Sequence, residues 1–227
     1  MTTREKLAKE LENALGEELV SIAEYGPSSS EDGQVPSILV VLAAVSSDNL
    51  ALMRKPIENA HKNDAVGIMT LTENELKRSA DVFPIKFRAI SQNGKTLHGK
   101  NLISDMEIVD SHLRLRCEQE LKNLSLRLRQ KYIQGARTAD LKASLLTSAS
   151  NTFRQNLVVL AELKEGKTNA SREELANIAE GWELDLSPLE KVRKLTSDKK
   201  PDDSEAESTY HDFRDMVDHA ADIADKL

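Results

Sequence analysis

Residues 24–42 read EYGPSSSEDGQVPSILVVL. Gly26, Ser28 and Ser29 make a turn whose backbone N–H groups could cradle a phosphate. The apolar run from Ile38 reads as a buried strand. At the start of such a strand, carboxylates at i and i+2 point the same way and can hold a divalent cation between them. The strand's entry here reads Val35-Pro36-Ser37, and neither Val35 nor Ser37 carries a carboxylate. Neither can ligate Mg²⁺ as a carboxylate does. Pro27 also removes one backbone donor from the turn. The nearest acids are Glu31 and Asp32. As neighbours they would point to opposite faces of a strand and could converge only in a loop.

The elements around this stretch follow from hydrophobic period. Leu7, Leu11, Ala14 and Leu15 fall on one helix face, with Thr3 and Glu5 as the expected cap. Leu19 to Tyr25 alternates as a strand. Ser37 to Val45 is nearly all apolar, as in a strand buried on both faces. Ser47 or Asp48 is the expected cap of a helix to about His61. Val66 to Leu71 reads as a strand, and Thr72-x-x-Glu75 as a capping box. Val82 to Ile90 reads as a further strand with Pro84 at an edge or bulge, followed by a turn at Gln92-Asn93-Gly94. The resulting order is β-β-α-β-α-β. From Met106 to Tyr132 apolar residues recur every three or four positions, as on a long helix. A second stripe runs from Leu141 to Leu160 and stops near Gly166. Shorter helices are expected after Ser171, with Glu174 completing a capping box, and over Leu184 to Leu195. Residues 196–209 read as a polar loop, and Tyr210 to Leu227 as a last amphipathic helix. The fold class is therefore α+β: a small mixed-sheet domain over residues 1–99, then an all-α bundle over 100–227.

The order helix, strand, Gly-x-Ser turn, polar loop and apolar strand resembles the polymerase-β-like nucleotidyltransferase superfamily. It is most similar to bacterial members with a C-terminal helical bundle, of the kanamycin nucleotidyltransferase kind. The residues that carry the resemblance are Leu19–Gly26, Ser28, Ile38–Leu42, Phe83–Ile90, Leu97-His98-Gly99 and the long helix after them. It implies transfer of a nucleoside monophosphate, with two metal ions clamping the attacking and leaving oxygens. An Asp-x-Asp pair and a third carboxylate from a neighbouring strand would hold those ions. Matched to the family's apolar run, the pair falls on Val35 and Ser37. The third position is expected within Val82–Ile90, which offers Lys86 and Arg88 but no acid. The resemblance thus implies a nucleotide-binding turn at Gly26, Ser28 and Ser29, with degenerate metal positions at Val35, Ser37 and Lys86. No catalytic residue and no metal ligand is assigned.

Other groups carry weaker signals. Arg214 and His219 match the loose Arg-x4-His spacing of HEPN-type ribonucleases, but only eight residues follow His219. His61, His98, His112 and His211 show no zinc-ligand spacing. Ser28-Ser29-Ser30 lacks a Gly-x-Ser-x-Gly elbow. Cys117 lies on an apolar helix stripe, as a buried small hydrophobe does. Trp182 follows Gly181 at a helix end and reads as a packing residue. The basic residues Arg114, Arg116, Lys122, Arg127, Arg129 and Lys131 are interspersed with Glu118 and Glu120 and read as a solvated face. An acidic partner or a nucleotide phosphate is their functional alternative.

The totals narrow the partners. A net charge of −7 argues against nucleic acid, which selects a basic surface. A single cysteine excludes an intramolecular disulfide and a multi-cysteine zinc site. The longest apolar stretch, Val35 to Val45, is too short and interrupted for a membrane span, and the charged N-terminus is unlike a signal peptide. The expected compartment is the cytoplasm. A homodimer or a protein partner through the helical bundle is the expected assembly. Three functions stay open: a catalytically degenerate binding or regulatory module, which needs no cofactor; an active nucleotidyltransferase using ATP and Mg²⁺ through displaced ligands; and an interaction protein with no nucleotide site.

Overall fold

The computed structural model describes residues 1–27, 35–104, 106–197 and 202–227. It divides into two compact units, Met1–Val109 and Asp110–Leu227. Each is built around its own buried side chains.

The first unit runs α1 (Thr3–Leu15), β1 (Leu19–Tyr25), β2 (Ser37–Leu42), α2 (Ser47–His61), β3 (Gly67–Thr72), α3 (Glu73–Ser79), α4 (Pro84–Asn93) and β4 (Lys95–Gly99). Its sheet has the order β3-β2-β1-β4. β1 is antiparallel to β2 and β4, and β2 is parallel to β3. Alternation along β2 divides the core. Ile38, Val40 and Leu42 face one way, packing with Leu7, Leu11 and Leu15 of α1 and Met53 of α2. Leu39 and Val41 face the other way, packing with Leu76 of α3, Phe87 and Ile90 of α4, and Ile103. A strand covered on both sides needs an unbroken apolar run, and that is the run the sequence shows.

Several expectations shift. The cap of α1 is Thr2, not Thr3: Thr2 Oγ1 accepts from Glu5 N–H at 3.2 Å, and the Glu5 carboxylate accepts from Thr2 N–H at 2.8 Å. β2 ends at Leu42, and Ser46 rather than Ser47 or Asp48 caps α2, accepting from Asn49 N–H at 3.1 Å. The larger correction concerns residues 82–90, which are not a strand. Pro84 stands in the first turn of α4, where a missing N–H costs nothing and its fixed φ suits a helix. Pro84, Phe87 and Ile90, three residues apart, are the buried face. The fourth strand is instead Lys95–Gly99, placed after the 92–94 segment, which closes α4 through Gly94 N–H to Ile90 O at 2.7 Å.

The second unit runs α5 (Asp110–Gln134), α6 (Ala139–Glu165), α7 (Arg172–Gly181), α8 (Ser187–Ser197) and α9 (Asp203–Asp225). Its core stripes include Leu113, Cys117, Leu121, Leu124 and Leu128 of α5, Leu146, Phe153, Leu157 and Leu160 of α6, and Tyr210, Phe213 and Val217 of α9. Phe153 and Phe213 meet edge to face with centroids 6.0 Å apart, a preferred aromatic geometry. Gly166 ends α6 at φ +65, and the capping box of Ser171 with Glu174 opens α7 as expected. The region expected as a loop over 196–209 is partly helical. The Asp202 carboxylate accepts from Ser204 and Glu205 N–H at 3.0 Å, so α9 starts a full two turns before Tyr210. Among the described residues no helix is long and apolar enough to cross a membrane.

Candidate functional site

The turn after β1 is held from behind. Arg4 of α1 donates from Nη1 to Tyr25 O at 3.1 Å and pairs through Nε with Glu24 at 3.1 Å. Both side chains are largely buried, so the pair is protected from solvent screening. Gly26 follows with φ +78. That left-handed conformation favours glycine, and a β-carbon there would lie 3.2 Å from Val35 O. The end of β1 and the start of β2 are thus pressed together at Gly26 and Val35. Ser28 and Ser29 of the expected phosphate turn lie outside the described residues, as do Glu31 and Asp32.

Strand register identifies the neighbours of the β2 start. Ser37 pairs with Tyr25 on one side and with Gly67 on the other. Directly paired residues share a face, so Tyr25, Ser37 and Gly67 line up across three strands. None is an acid. The Ser37 hydroxyl donates to Val35 O at 3.0 Å. Burial pushes the Tyr25 phenol above its ordinary value, partly opposed by the Ser37 hydroxyl beside it.

Gly67 did not enter the sequence reading. Of the two strands beside β2, β3 places Gly67 in register with Ser37. A β-carbon at Gly67 would lie 2.4 Å from Ser37 Oγ and 3.4 Å from Val35 Cγ2. The space above Gly67 is therefore filled by the side chains that stand at the expected pair positions. A glycine at the start of an apolar strand was the available signal, since it often marks a close approach. Lys86 was expected on a strand, as the third metal position. It stands on α4 instead, and strand register does not relate it to Ser37. Partial burial lowers its ammonium pKa.

Valine, a hydroxyl turned onto backbone and glycine do not fit a divalent cation that wants several hard oxygen ligands. Among the described residues, no group of three or more His, Cys, Asp or Glu side chains could hold a metal ion.

The remaining candidates resolve into local structure. Cys117 is fully buried, and burial pushes its thiol up to about 12. Such a thiol is inert. Arg214 pairs with its neighbour Asp215 at 2.6 Å, while His219 is exposed on the same helix. His61 contacts Val66 O, His98 pairs with Glu12, and His211 with Glu207. Trp182 donates to Glu165 at 2.8 Å and lies under Lys164. On the basic face of α5, Arg116 pairs with Glu120, Lys122 with Glu118 and Asp225, and Arg129 with Asp218. Its charge is largely answered within the unit.

No family model matches the chain, and no curated protein matches it. Among solved structures, the fold is similar to the crystal structure of spectinomycin adenyltransferase AAD(9) from Enterococcus faecialis with ATP and spectinomycin. The TM-score is 0.57 at 13% identity, over 96% of this chain and 100% of that one. The likeness shows the α+β fold: a four-stranded mixed sheet followed by a mostly helical C-terminal region.

Proposed function

We propose that this chain, built on a nucleotidyltransferase fold, is a catalytically degenerate member of that group and works as a binding or regulatory module. The observation that carries the reading is the row at the start of β2. Matched to the family's apolar run, Val35 and Ser37 fall on the paired-carboxylate positions, and Gly67 is in register beside Ser37. Nucleotidyl transfer needs metal ions at that place to stabilise charge on the transferring phosphoryl group. Losing about 5 kcal/mol of that stabilisation would slow the reaction roughly 10⁴-fold.

The retained parts are those of a scaffold. Gly26 keeps its turn conformation, and Arg4 holds the end of β1 in place. A nucleotide phosphate met by backbone N–H groups at Gly26 and the following serines would need no metal.

The test is ATP binding by calorimetry with and without Mg²⁺, together with pyrophosphate release in the presence of candidate aminoglycoside acceptors. The degenerate-module reading expects Mg²⁺-independent binding and no release. Mg²⁺-dependent binding with pyrophosphate release would overturn it in favour of an active enzyme with displaced ligands. No binding in either condition would leave a pure interaction module.

A further inference from the structure

The sheet has two edges, and only one is guarded. β4 carries Lys95 and His98, and its pairing with β1 shifts register between Ile22 and Ala23. Charge and irregularity of this kind discourage further strand pairing. β3, at the opposite edge, reads Gly-Ile-Met-Thr-Leu-Thr. It has no charge and no proline, and its register against β2 is unbroken from Ser37↔Gly67 to Leu42↔Thr72.

The backbone groups on the outer side of β3 can be assigned. Gly67 N–H donates inward to Pro36 O at 2.8 Å. By alternation, Met69 and Leu71 also turn their amides toward β2, while Val66, Ile68, Thr70 and Thr72 turn theirs outward. Both ends of this outer row are covered. His61 Nε2 lies 3.0 Å from Val66 O, and Thr72 N–H donates to the Glu75 carboxylate at 2.7 Å. The N–H and C=O groups of Ile68 and Thr70 remain, with no partner on that side among the described residues.

We propose that this edge pairs with a second copy of itself, antiparallel, about a twofold axis through Met69. A twofold normal to the sheet keeps each face on its own side, so opposed residues must have the same parity. Centring on Thr70 would set Ile68 against Thr72, whose N–H is already bound to Glu75. Centring on Met69 sets Ile68 of one copy against Thr70 of the other, twice. Each such pair exchanges two hydrogen bonds, so every open group is satisfied. Because the other edge is guarded, the pairing closes at two copies rather than growing into a fibre. Two short strands bury less than the ~1,000 Å² of a permanent interface, so the dimer is reversible. The pairing is independent of whether the Gly26 turn holds a nucleotide.

The register makes the test specific. Met69 faces its own counterpart in a non-hydrogen-bonded pair, where Cα atoms are about 4.5 Å apart, within disulfide range. Leu71 faces Gly67, which puts the two Leu71 residues roughly 13 Å apart along the strands. Under mild oxidation, Met69→Cys forms a disulfide-linked dimer at least tenfold faster than Leu71→Cys. The buried Cys117 does not compete. Thr70→Pro removes an outward N–H that β2 does not use, a position where an edge strand tolerates proline. It abolishes the concentration dependence of sedimentation while leaving the circular dichroism spectrum unchanged. Three results would each overturn the proposal: a native chain that sediments as a monomer at all concentrations up to hundreds of micromolar, equal cross-linking of Met69→Cys and Leu71→Cys, or unaltered association of Thr70→Pro.

Discussion

Ser37 and Gly67 stand side by side across the parallel pair β2–β3, and the Ser37 hydroxyl occupies the place of a Gly67 side chain, 2.4 Å from where a β-carbon would be. The first prediction follows from that contact. Gly67→Ala forces the hydroxyl to rotate and give up its 3.0 Å bond to Val35 O. The expected cost is about 1 kcal/mol, the net worth of a typical hydrogen bond. In a Ser37→Ala background the hydroxyl is already gone, and the same change costs less. A double-mutant cycle by urea denaturation reads the difference.

The proposed degeneracy of this row also predicts a gain of function in metal binding. Val35→Asp, Ser37→Asp and Gly67→Asp together place three carboxylates beside one another where β2 and β3 begin. Without metal they repel one another, so the triple variant melts below the native chain. Mn²⁺ raises its melting temperature and leaves that of the native chain unchanged. Differential scanning fluorimetry across a Mn²⁺ titration checks this, and an equal response from both proteins would contradict the assignment of the row.

Arg4 ties α1 to the end of β1, and its partner Glu24 is only 18% exposed. Arg4→Met removes the cation and leaves a carboxylate mostly out of water. The expected loss is about 2–4 kcal/mol, near the cost of breaking a buried ion pair. Adding Glu24→Gln recovers part of it, because the stranded charge is removed. Denaturant midpoints of the two variants decide the point.

In the helical unit, Glu207 of α9 accepts from Lys142 and Tyr132 and meets His211. The bond to Lys142 first, and that to Tyr132 second, hold its carboxyl at about 2 in the folded state, against an ordinary 4.5. A depressed carboxylate pKa contributes stability that is complete above the unfolded value and lost as pH falls through the folded one. Between about pH 4.5 and 2 the native chain therefore loses stability that Glu207→Gln has already lost. The gap between their thermal midpoints narrows across that window, which a series of melts would show.

The residues differ in how far sequence exposed their roles. The apolar run of β2, the stripes of α5 and α6 and the capping boxes at Thr72 and Ser171 were legible because each is a local pattern with one physical solution. The strand expected over residues 82–90 failed for a reason equally local. Val82, Phe83 and Ile85 carry strand composition, but burial of Phe87 and Ile90 at helical spacing outweighed it, and Pro84 suited a first turn. The start of α9 at Asp203 was hidden because its first turns are charged, and Ala206 is buried only once the bundle has formed.

By itself the sequence determined that the start of β2 carries no carboxylate, since residue identity at Val35 and Ser37 needs no fold to be read. It also determined an acidic chain with two dissimilar halves. Only the tertiary structure decided which residue stands beside Ser37. That depends on the parallel pairing of β2 with β3, a contact across thirty positions of chain that no local spacing encodes. It put Gly67, and not Lys86, in register with Ser37. The same pairing left the outer side of Ile68 and Thr70 open, because a strand's two hydrogen-bonding sides become distinct only when a neighbour takes one of them.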